Sequence, residues 1–201
     1  MPATNGRRYQ KQRTREAILD GARVLMARGE PVSVAAAAAV HGVSRATAYR
    51  YFPDIRTLTV EAGLAAFVPA YEDVVAGAAT TRERLMAIHR AMIALALEHE
   101  PAFRQFLAHT VEAPEDRRSR GARRINYFEQ ALKQGDAPLA ERDRKRLVAS
   151  LAAVSGIETV IALADVAGLA RVRIGEIAAG MAAAILDSFP GLDGPDLRQR
   201  A

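Results

Sequence analysis

Helical spacing of apolar residues runs through nearly the whole chain, and this pattern constrains the fold more than any other feature of the sequence. Period-two alternation is scarce and clusters of β-branched residues are short, so strands are not expected. Alanine, leucine, arginine and glutamate are abundant, and these residues favour helix. With 201 residues, 50% of them apolar and 25% charged, the sequence predicts an all-α globular protein of one or two domains.

Composition excludes several classes of site. The chain has no cysteine, which rules out disulfide frameworks, cysteine-ligated zinc, iron–sulfur clusters and thiol nucleophiles. It also lacks an uninterrupted apolar run of about 18 residues, so no membrane span is expected. The basic N-terminus has no apolar segment of the kind found in secretory signals. We therefore expect a soluble protein of the cytoplasm with no cofactor.

The sequence carries no catalytic motif. The four histidines have no metal-ligand spacing, and neither G-x-S-x-G, a Walker loop nor G-x-G-x-x-G is present. The basic residues lack a bulky apolar face opposite them, which argues against binding at a membrane surface. We expect neither an enzyme nor a metal site nor a membrane partner.

Positive charge is concentrated in the first third of the chain. Its 28 basic and 23 acidic residues give a net charge of +5. Residues 1–60 hold ten of the basic residues and four of the acids, a net +6, and the remainder is nearly neutral at −1. This asymmetry favours a polyanion-binding N-terminal region, although a solvated basic face would give the same balance.

Two helices are predicted ahead of a tight turn. The first spans about residues 11–28 and is stopped by Gly29, with apolar residues along one face. Ser33 is typical of an N-cap for a short second helix that ends at His41-Gly42. The inner face of that second helix is expected to consist of Val34, Ala37 and Ala38.

A third and a fourth helix follow the turn. Ser44 is expected to cap the third, residues 45–52, which Pro53 closes because its ring and missing N–H cannot continue a helix. The fourth begins near Ile55 and runs towards Pro69. Glycine at position 42 suits the turn because it adopts positive φ without a steric penalty. This layout is that of a helix-turn-helix.

The third helix has the residue types that major-groove reading requires. Its periodicity turns Ala48 and Phe52 towards the core. The residues that it turns outward are Arg45, Ala46, Tyr49 and Arg50, with Thr47 at the margin. An arginine, a small apolar residue, a hydroxyl and a tyrosine at the exposed N-terminal end of a helix are suited to base edges and phosphates.

The run VSVAAAAAVHGVSRATAYRYFPDIRTL, residues 32–58, resembles the signature of the tetracycline-repressor (TetR) family of bacterial transcription regulators. The residues that match in order and spacing are Gly42-Val43-Ser44, Thr47, Tyr49, Tyr51-Phe52-Pro53 and Leu58. The resemblance is clear over about residues 11–65 and weak afterwards. It implies a three-helix DNA-binding domain, residues 1–54, and a helical effector-binding and dimerisation domain, residues 55–201, with about nine helices in total.

The resemblance also implies a function. Members of the family bind a palindromic operator in double-stranded DNA as homodimers, repress by default and are released by a small molecule. We expect Arg45 to be the principal base reader, because its guanidinium can pair with guanine O6 and N7, and Ala46 or the Thr47 methyl to meet a thymine methyl. The residues expected to contact phosphate are Ser33, Ser44, Tyr49, Arg50 and Tyr51.

Two departures from the family pattern affect the phosphate contacts. Family members often carry a lysine two residues after the Phe-Pro pair, and here that position is Ile55. Arg56 is the candidate substitute, but its direction differs by about 100° on a helix. Alanines 35 and 36 stand where polar side chains often hold the backbone. We therefore expect Ser33 and an N-terminal arm with Arg7, Arg8 and Lys11 to contribute more of the phosphate binding.

The rest of the chain is predicted to be helical as well. Thr80-Thr81-Arg82-Glu83 reads as a capping box ahead of a helix at residues 82–99. Two long helices, about 139–165 and 174–188, are rich in small residues, which allow helices to approach closely and form a shared four-helix interface between two copies. The small residues are Ala149, Ser150, Ala152, Ala153, Ser155, Gly156, Ala178, Ala179, Gly180, Ala182, Ala183 and Ala184.

The resemblance further implies an effector pocket among the helices that follow the DNA-binding domain. The candidate lining residues are Met92, His99, Phe103, Phe106, His109, Tyr127 and Glu158, and ordinary core or surface roles are open for each. Glu158 lies in an otherwise apolar stretch and needs a partner or solvent. A mostly apolar pocket would suit a hydrophobic or amphipathic small molecule. The alternative for the whole chain is an all-helical dimeric scaffold without DNA binding, which leaves the basic N-terminal region unexplained.

Overall fold

The protein is all-α, as the sequence predicts. The computed structural model describes residues 3–112, 122–135 and 138–192, and these contain no β-strand. Eleven α-helices lie in this part of the chain, where about nine had been expected. They are α1 (Ala3–Ala27), α2 (Val34–Val40), α3 (Arg45–Tyr51), α4 (Ile55–Phe67), α5 (Tyr71–Val74), α6 (Thr81–Glu98), α7 (Glu100–Glu112), α8 (Ala122–Gln134), α9 (Glu141–Ala153), α10 (Ile157–Ile161) and α11 (Arg171–Asp187).

The described chain forms two compact units. Of the described residues, the first comprises 3–68 and 104–112, and the second comprises 69–103, 122–135 and 138–192. Helix α4 therefore groups with the first unit, whereas the sequence-based boundary lay after residue 54. The physical reason is that Leu58 and Ala62 of α4 are fully buried in the core of that unit.

Helices α1 to α4 share one apolar core in the first unit. Residues from all four helices, and from the segment that follows α3, are buried there, namely Ile18, Leu19, Ala22, Leu25, Val34, Ala37, Ala38, Ala48, Phe52, Leu58 and Ala62. The predicted inner face of α2 is confirmed, since Val34, Ala37 and Ala38 are all buried. Helix α1 begins at Ala3, eight residues before the expected start at Lys11.

The second unit is built around α6. Its predicted capping box is confirmed: the Thr80 hydroxyl accepts from the Glu83 amide at 3.1 Å, and the Glu83 carboxylate accepts from the Thr80 amide at 3.0 Å. The amides of Ala79 and Thr80 stabilise the ionised form and lower the pKa of Glu83. An apolar stripe of α6 is buried: Leu85, Ile88, Met92, Leu95 and Ala96.

The prediction of one long helix over residues 139–165 is wrong. Helix α9 ends at Ala153, and Gly156 adopts an extended backbone with φ −151° and ψ −174° before α10 begins. A turn of π-helix, Ala162–Val166, follows α10, and Gly168 has φ +65° in the loop before α11. The two halves, Glu141–Ala153 and Ile157–Val166, are bent by 49°.

The Arg124 side chain lies beside the break between α9 and α10. A Cβ atom at Gly156 would lie 1.6 Å from an Arg124 guanidinium nitrogen, so this guanidinium occupies the space beside the glycine. It donates two hydrogen bonds, of 3.0 and 3.1 Å, to the Glu158 carboxylate.

The last predicted helix starts earlier than the expected residue 174. Helix α11 begins at Arg171.

No single helix in the described ranges is long and apolar enough to cross a membrane. The bent pair Glu141–Ala153 and Ile157–Val166 meets the same length and composition criteria only when its two parts are taken together.

Candidate nucleic-acid interface

The turn between α2 and α3 is held by backbone hydrogen bonds and two serine caps. Ser33 Oγ accepts from the Ala36 amide at 3.0 Å, and Ser44 Oγ accepts from the Thr47 amide at 3.2 Å, so both predicted N-caps are confirmed. Gly42 has φ +68°, the left-handed conformation that favours glycine. The Val43 amide returns to the Ala38 carbonyl at 2.9 Å and closes the end of α2.

Helix α3 presents one face to the core and the other to solvent. Ala48 and Phe52 are fully buried. Side chains on the opposite face are exposed: Arg45, Ala46, Tyr49 and Arg50, with Thr47 half-buried at the margin. The predicted orientation of this helix is therefore confirmed, and Tyr51 is half-buried against the core.

A half-buried arginine packs against Phe52 at the C-terminal end of α3. The guanidinium carbon of Arg15, on α1, lies 4.6 Å from the centre of the Phe52 ring. The same guanidinium pairs with the Glu61 carboxylate on α4, and the side chains of Arg15 and Glu61 are only 12% and 13% exposed. Arg15 thus ties α1, Phe52 and α4 together. Sequence reasoning counted Arg15 only as part of the basic excess and missed this structural role.

Several other charged side chains of the first unit bond to partners within the unit. Arg23 pairs with Asp20 at 3.0 Å, and Asp20 also accepts from the ring of His41 at 2.8 Å. The Asp54 carboxylate caps α4 through the amide and hydroxyl of Thr57, both at 2.8 Å.

The exposed face of α3, by contrast, is positively charged. No acidic residue occurs between Glu30 and Asp54 in the sequence. Within the described ranges, no acidic side chain lies in ion-pair distance of Arg45, Arg50 or Arg56. These three arginines are exposed and carry positive charge on the surface around α3 and the start of α4. Such a surface favours a polyanion.

Two hydroxyls of the predicted contact set bond to each other. The Ser44 hydroxyl donates to Thr47 Oγ1 at 2.9 Å, while Ser44 Oγ also accepts the Thr47 amide. One of the two hydroxyl protons is therefore engaged between the pair, and the other remains available to an incoming phosphate.

Arg45 contacts Tyr49 on the same exposed face. The guanidinium carbon of Arg45 lies over the Tyr49 ring, 5.6 Å from its centre, and Tyr49 is 41% exposed. This pair was not anticipated, although the i, i+4 spacing of the two residues was visible in the sequence.

The remaining predicted DNA contacts lie at the edges of this surface. Ile55, where family members often carry lysine, is 41% exposed at the first residue of α4. Arg56 and Lys11 are exposed, and Lys11 lies within α1 instead of in a separate arm. The side chains of Arg7 and Arg8 lie outside the described residues.

Four of the predicted effector residues lie in the second unit, and each has different neighbours there. Met92 is 8% exposed in the core, and His99 is the C-cap of α6. The Tyr127 hydroxyl donates to the Pro69 carbonyl at 2.8 Å, and its ring packs edge-on against Tyr71. Glu158 was expected to need a partner because its stretch of the chain is otherwise apolar, and its carboxylate pairs with Arg124.

Three further residues were predicted to line the pocket. Phe103 and Phe106, both on α7, are half-buried. They fall on opposite sides of the division between the two units, and Phe106 belongs to the first. The side chain of His109 lies outside the described residues.

A buried histidine in the second unit was missed. His89 on α6 is 1% exposed, and its Nδ1 lies 2.8 Å from Ser155 Oγ at the break between α9 and α10. Burial, with the nearby Arg90 charge, lowers the pKa of His89 to about 4, although a backbone hydrogen bond with Ala178 opposes the shift. In the sequence, the only sign that His89 would be buried was its position among the apolar residues of α6.

No family model, curated protein or solved structure matches the chain.

Proposed function

We propose that the protein is a ligand-responsive transcriptional regulator, with repression as its default, that acts in the cytoplasm. It binds a palindromic operator in double-stranded DNA as a homodimer, through the helix-turn-helix of α2 and α3, and a small molecule releases it. The observation that carries this proposal is the exposed face of α3, which offers Arg45, Tyr49 and Arg50 to solvent while Ala48 and Phe52 anchor the helix.

The charge and the size of the first unit support DNA as the partner. A single short helix selects too few base pairs to define one operator in a genome, so two copies are required for specificity. The exposed side chains of Arg50 on α3 and Arg56 on α4 suit the phosphates beside a major groove, while Arg45 is placed to read a base.

Exposed apolar side chains on α11 support the homodimer. Ile177 and Met181 are 37% and 39% exposed, and Gly180 and Ala184 on the same side of the helix are exposed too. Val166 and Val172, on either side of the loop that precedes α11, are 86% and 84% exposed. Burial of such a surface against its copy removes apolar area from water.

Several of the small residues expected at this interface are instead buried within one protomer. Ala152, Ser155, Gly156, Ala178 and Ala182 pack inside the second unit. The small residues that stay exposed for a partner copy are Ala149, Ala153, Gly180 and Ala184.

A salt-dependent gel shift tests the proposal. Operator fragments are first selected from random DNA, and the affinity is then measured at several salt concentrations. We expect Arg45→Ala to cost about 1–3 kcal/mol and to relax preference at one base position. Arg50→Ala is the matched control on the same helix: it should weaken all sequences about equally and reduce the salt slope by about one.

Two results would contradict the proposal. One is a wild-type protein that selects no sequence from random DNA, which would favour the scaffold alternative. The other is an Arg45→Ala variant with unchanged affinity and sequence preference, which would reject α3 as the reading helix.

A further inference from the structure

The contact between Arg45 and Tyr49 follows from helix geometry. Residues four apart lie one turn apart on the same face, and side chains of a helix lean towards its N-terminus. The Tyr49 ring therefore leans back over the first turn of α3, where Arg45 is the first helical residue. The separation of 5.6 Å is inside the range of about 6 Å over which a cation is attracted to a ring face.

This contact restricts an otherwise unrestrained side chain. An exposed arginine has several rotatable bonds, and fixing them on binding costs conformational entropy. No carboxylate or carbonyl in the described ranges accepts a hydrogen bond from Arg45. Attraction to the ring uses none of its N–H donors, so the guanidinium is oriented and its donors stay available for a base.

We propose that the Tyr49 ring holds Arg45 in the orientation that reads a base, which makes Tyr49 a positioning residue for sequence selectivity. This inference rests on the proposed function. It assigns two separable roles to one residue: the hydroxyl contacts phosphate and carries no sequence information, and the ring determines how sharply Arg45 discriminates.

Two substitutions separate these roles. Tyr49→Phe keeps the ring and removes the hydroxyl, so it should weaken binding to all sequences about equally and leave base preference unchanged. Tyr49→Leu removes the ring as well, and it should reduce the preference at the base read by Arg45 by about two- to fivefold. Tyr49 is 41% exposed, so neither change opens a cavity in the core.

The double variant Arg45→Ala/Tyr49→Leu shows whether the effect passes through Arg45. In the Arg45→Ala background, Tyr49→Leu should cause no further change of preference at that base position. Arg50→Ala provides the comparison within α3, because Arg50 lies against no aromatic ring among the described residues. Combined with Tyr49→Leu, it should leave the loss of preference as large as in the single variant.

Proton NMR of the free protein tests the contact without DNA. The ring current of Tyr49 should shift the side-chain methylene resonances of Arg45 in wild type and Tyr49→Phe, and the shift should disappear in Tyr49→Leu. A Tyr49→Leu protein that keeps wild-type base preference while wild type binds its operator overturns this inference alone. Equal loss of preference in Tyr49→Phe and Tyr49→Leu overturns it too, because the hydroxyl would then be responsible. Failure of wild type to select any sequence overturns the proposed function with it.

Discussion

Gly21 sets how closely α1 and α2 approach. A Cβ atom at this position would lie 2.0 Å from the Ala37 carbonyl oxygen, a backbone atom that cannot rotate away. Gly21→Ala should therefore push the two helices apart and destabilise the first unit by about 1–3 kcal/mol, despite the better helix propensity of alanine. Urea unfolding followed by circular dichroism measures the change.

Gly63 provides the control for Gly21. It also lies within a helix, α4, but a Cβ atom there would meet nothing within 4 Å. Gly63→Ala should leave stability unchanged or raise it by up to about 1 kcal/mol, since alanine restricts the unfolded chain. If Gly21→Ala raised the free energy of unfolding as Gly63→Ala is expected to do, helix propensity and not close packing would control position 21.

His89 should make stability depend on pH. Its pKa in the folded protein is about 4, below the ordinary value of 6.5, so acid protonates it in the unfolded chain first. The stability that neutral His89 gives the folded protein is fully present above about pH 6.5. It declines as the pH falls towards 4, where roughly 2–4 kcal/mol of the free energy of unfolding has been lost, and the loss does not grow below that pH.

The measurement compares unfolding free energies of wild type and His89→Gln at pH 7 and pH 4.5. Carboxylates titrate in both proteins, so the difference between their pH dependences isolates His89. We expect wild type to lose more stability than His89→Gln on acidification. Parallel pH profiles would mean that His89 titrates normally.

Single residues differ in how well the sequence reveals them. Ser33, Ser44 and Gly42 act on backbone within three or four residues of themselves, and these local roles were predicted correctly. Gly21 and Arg15 act through partners on other helices. Nothing next to them in the chain marks Ala37 or Glu61 as that partner, so their roles required the structure.

At the scale of helices, the cap of α6 should contribute measurably to the second unit. Thr80→Ala removes the hydroxyl that accepts the Glu83 amide, and it leaves that donor without its capping partner. The expected loss is about 1 kcal/mol. Thr59→Ala is the control, because its hydroxyl bonds only to carbonyls within α4 and should change stability by less than about 0.5 kcal/mol. Equal losses would indicate a general effect of threonine removal instead of a cap.

The break between α9 and α10 shows why some helix ends escape sequence analysis. Leucine, alanine and valine continue through this region at helical spacing, and one glycine does not by itself stop a helix. The guanidinium that occupies the space beside Gly156 comes from Arg124, which lies 32 positions earlier and belongs to α8, so nothing next to the break in the sequence indicates this contact. By contrast, Pro53 ends the α3 region by its own ring, and that boundary was predicted.

For the whole molecule, the sequence resolved the first unit better than the second. The first unit is short, its turns carry glycine, serine and proline, and most of its candidate contacts lie on α3 or at its N-cap. In the second unit, Glu158 and Tyr127 bond to groups on other segments of the chain, and such pairing is set by packing. The predicted effector set therefore stays a hypothesis.

In the proposed regulator, operator binding depends on dimerisation, a property of the whole molecule. Met181→Lys places a charge on the exposed face of α11, where a partner copy would have to bury it at a high desolvation cost. We expect this variant to sediment as a monomer and to lose most of its operator affinity, since two reading helices no longer bind together. Analytical ultracentrifugation and gel shifts measure the two effects.

Met26→Lys is the matched control, because Met26 is 38% exposed, almost the same as the 39% of Met181, but lies on α1. It should sediment like wild type. A dimeric Met181→Lys protein would place the interface elsewhere, whereas a monomeric wild type would reject the homodimer itself. If Met181→Lys were monomeric and still bound the palindrome with wild-type affinity, paired reading by two α3 helices would be excluded, and one copy would suffice for specificity.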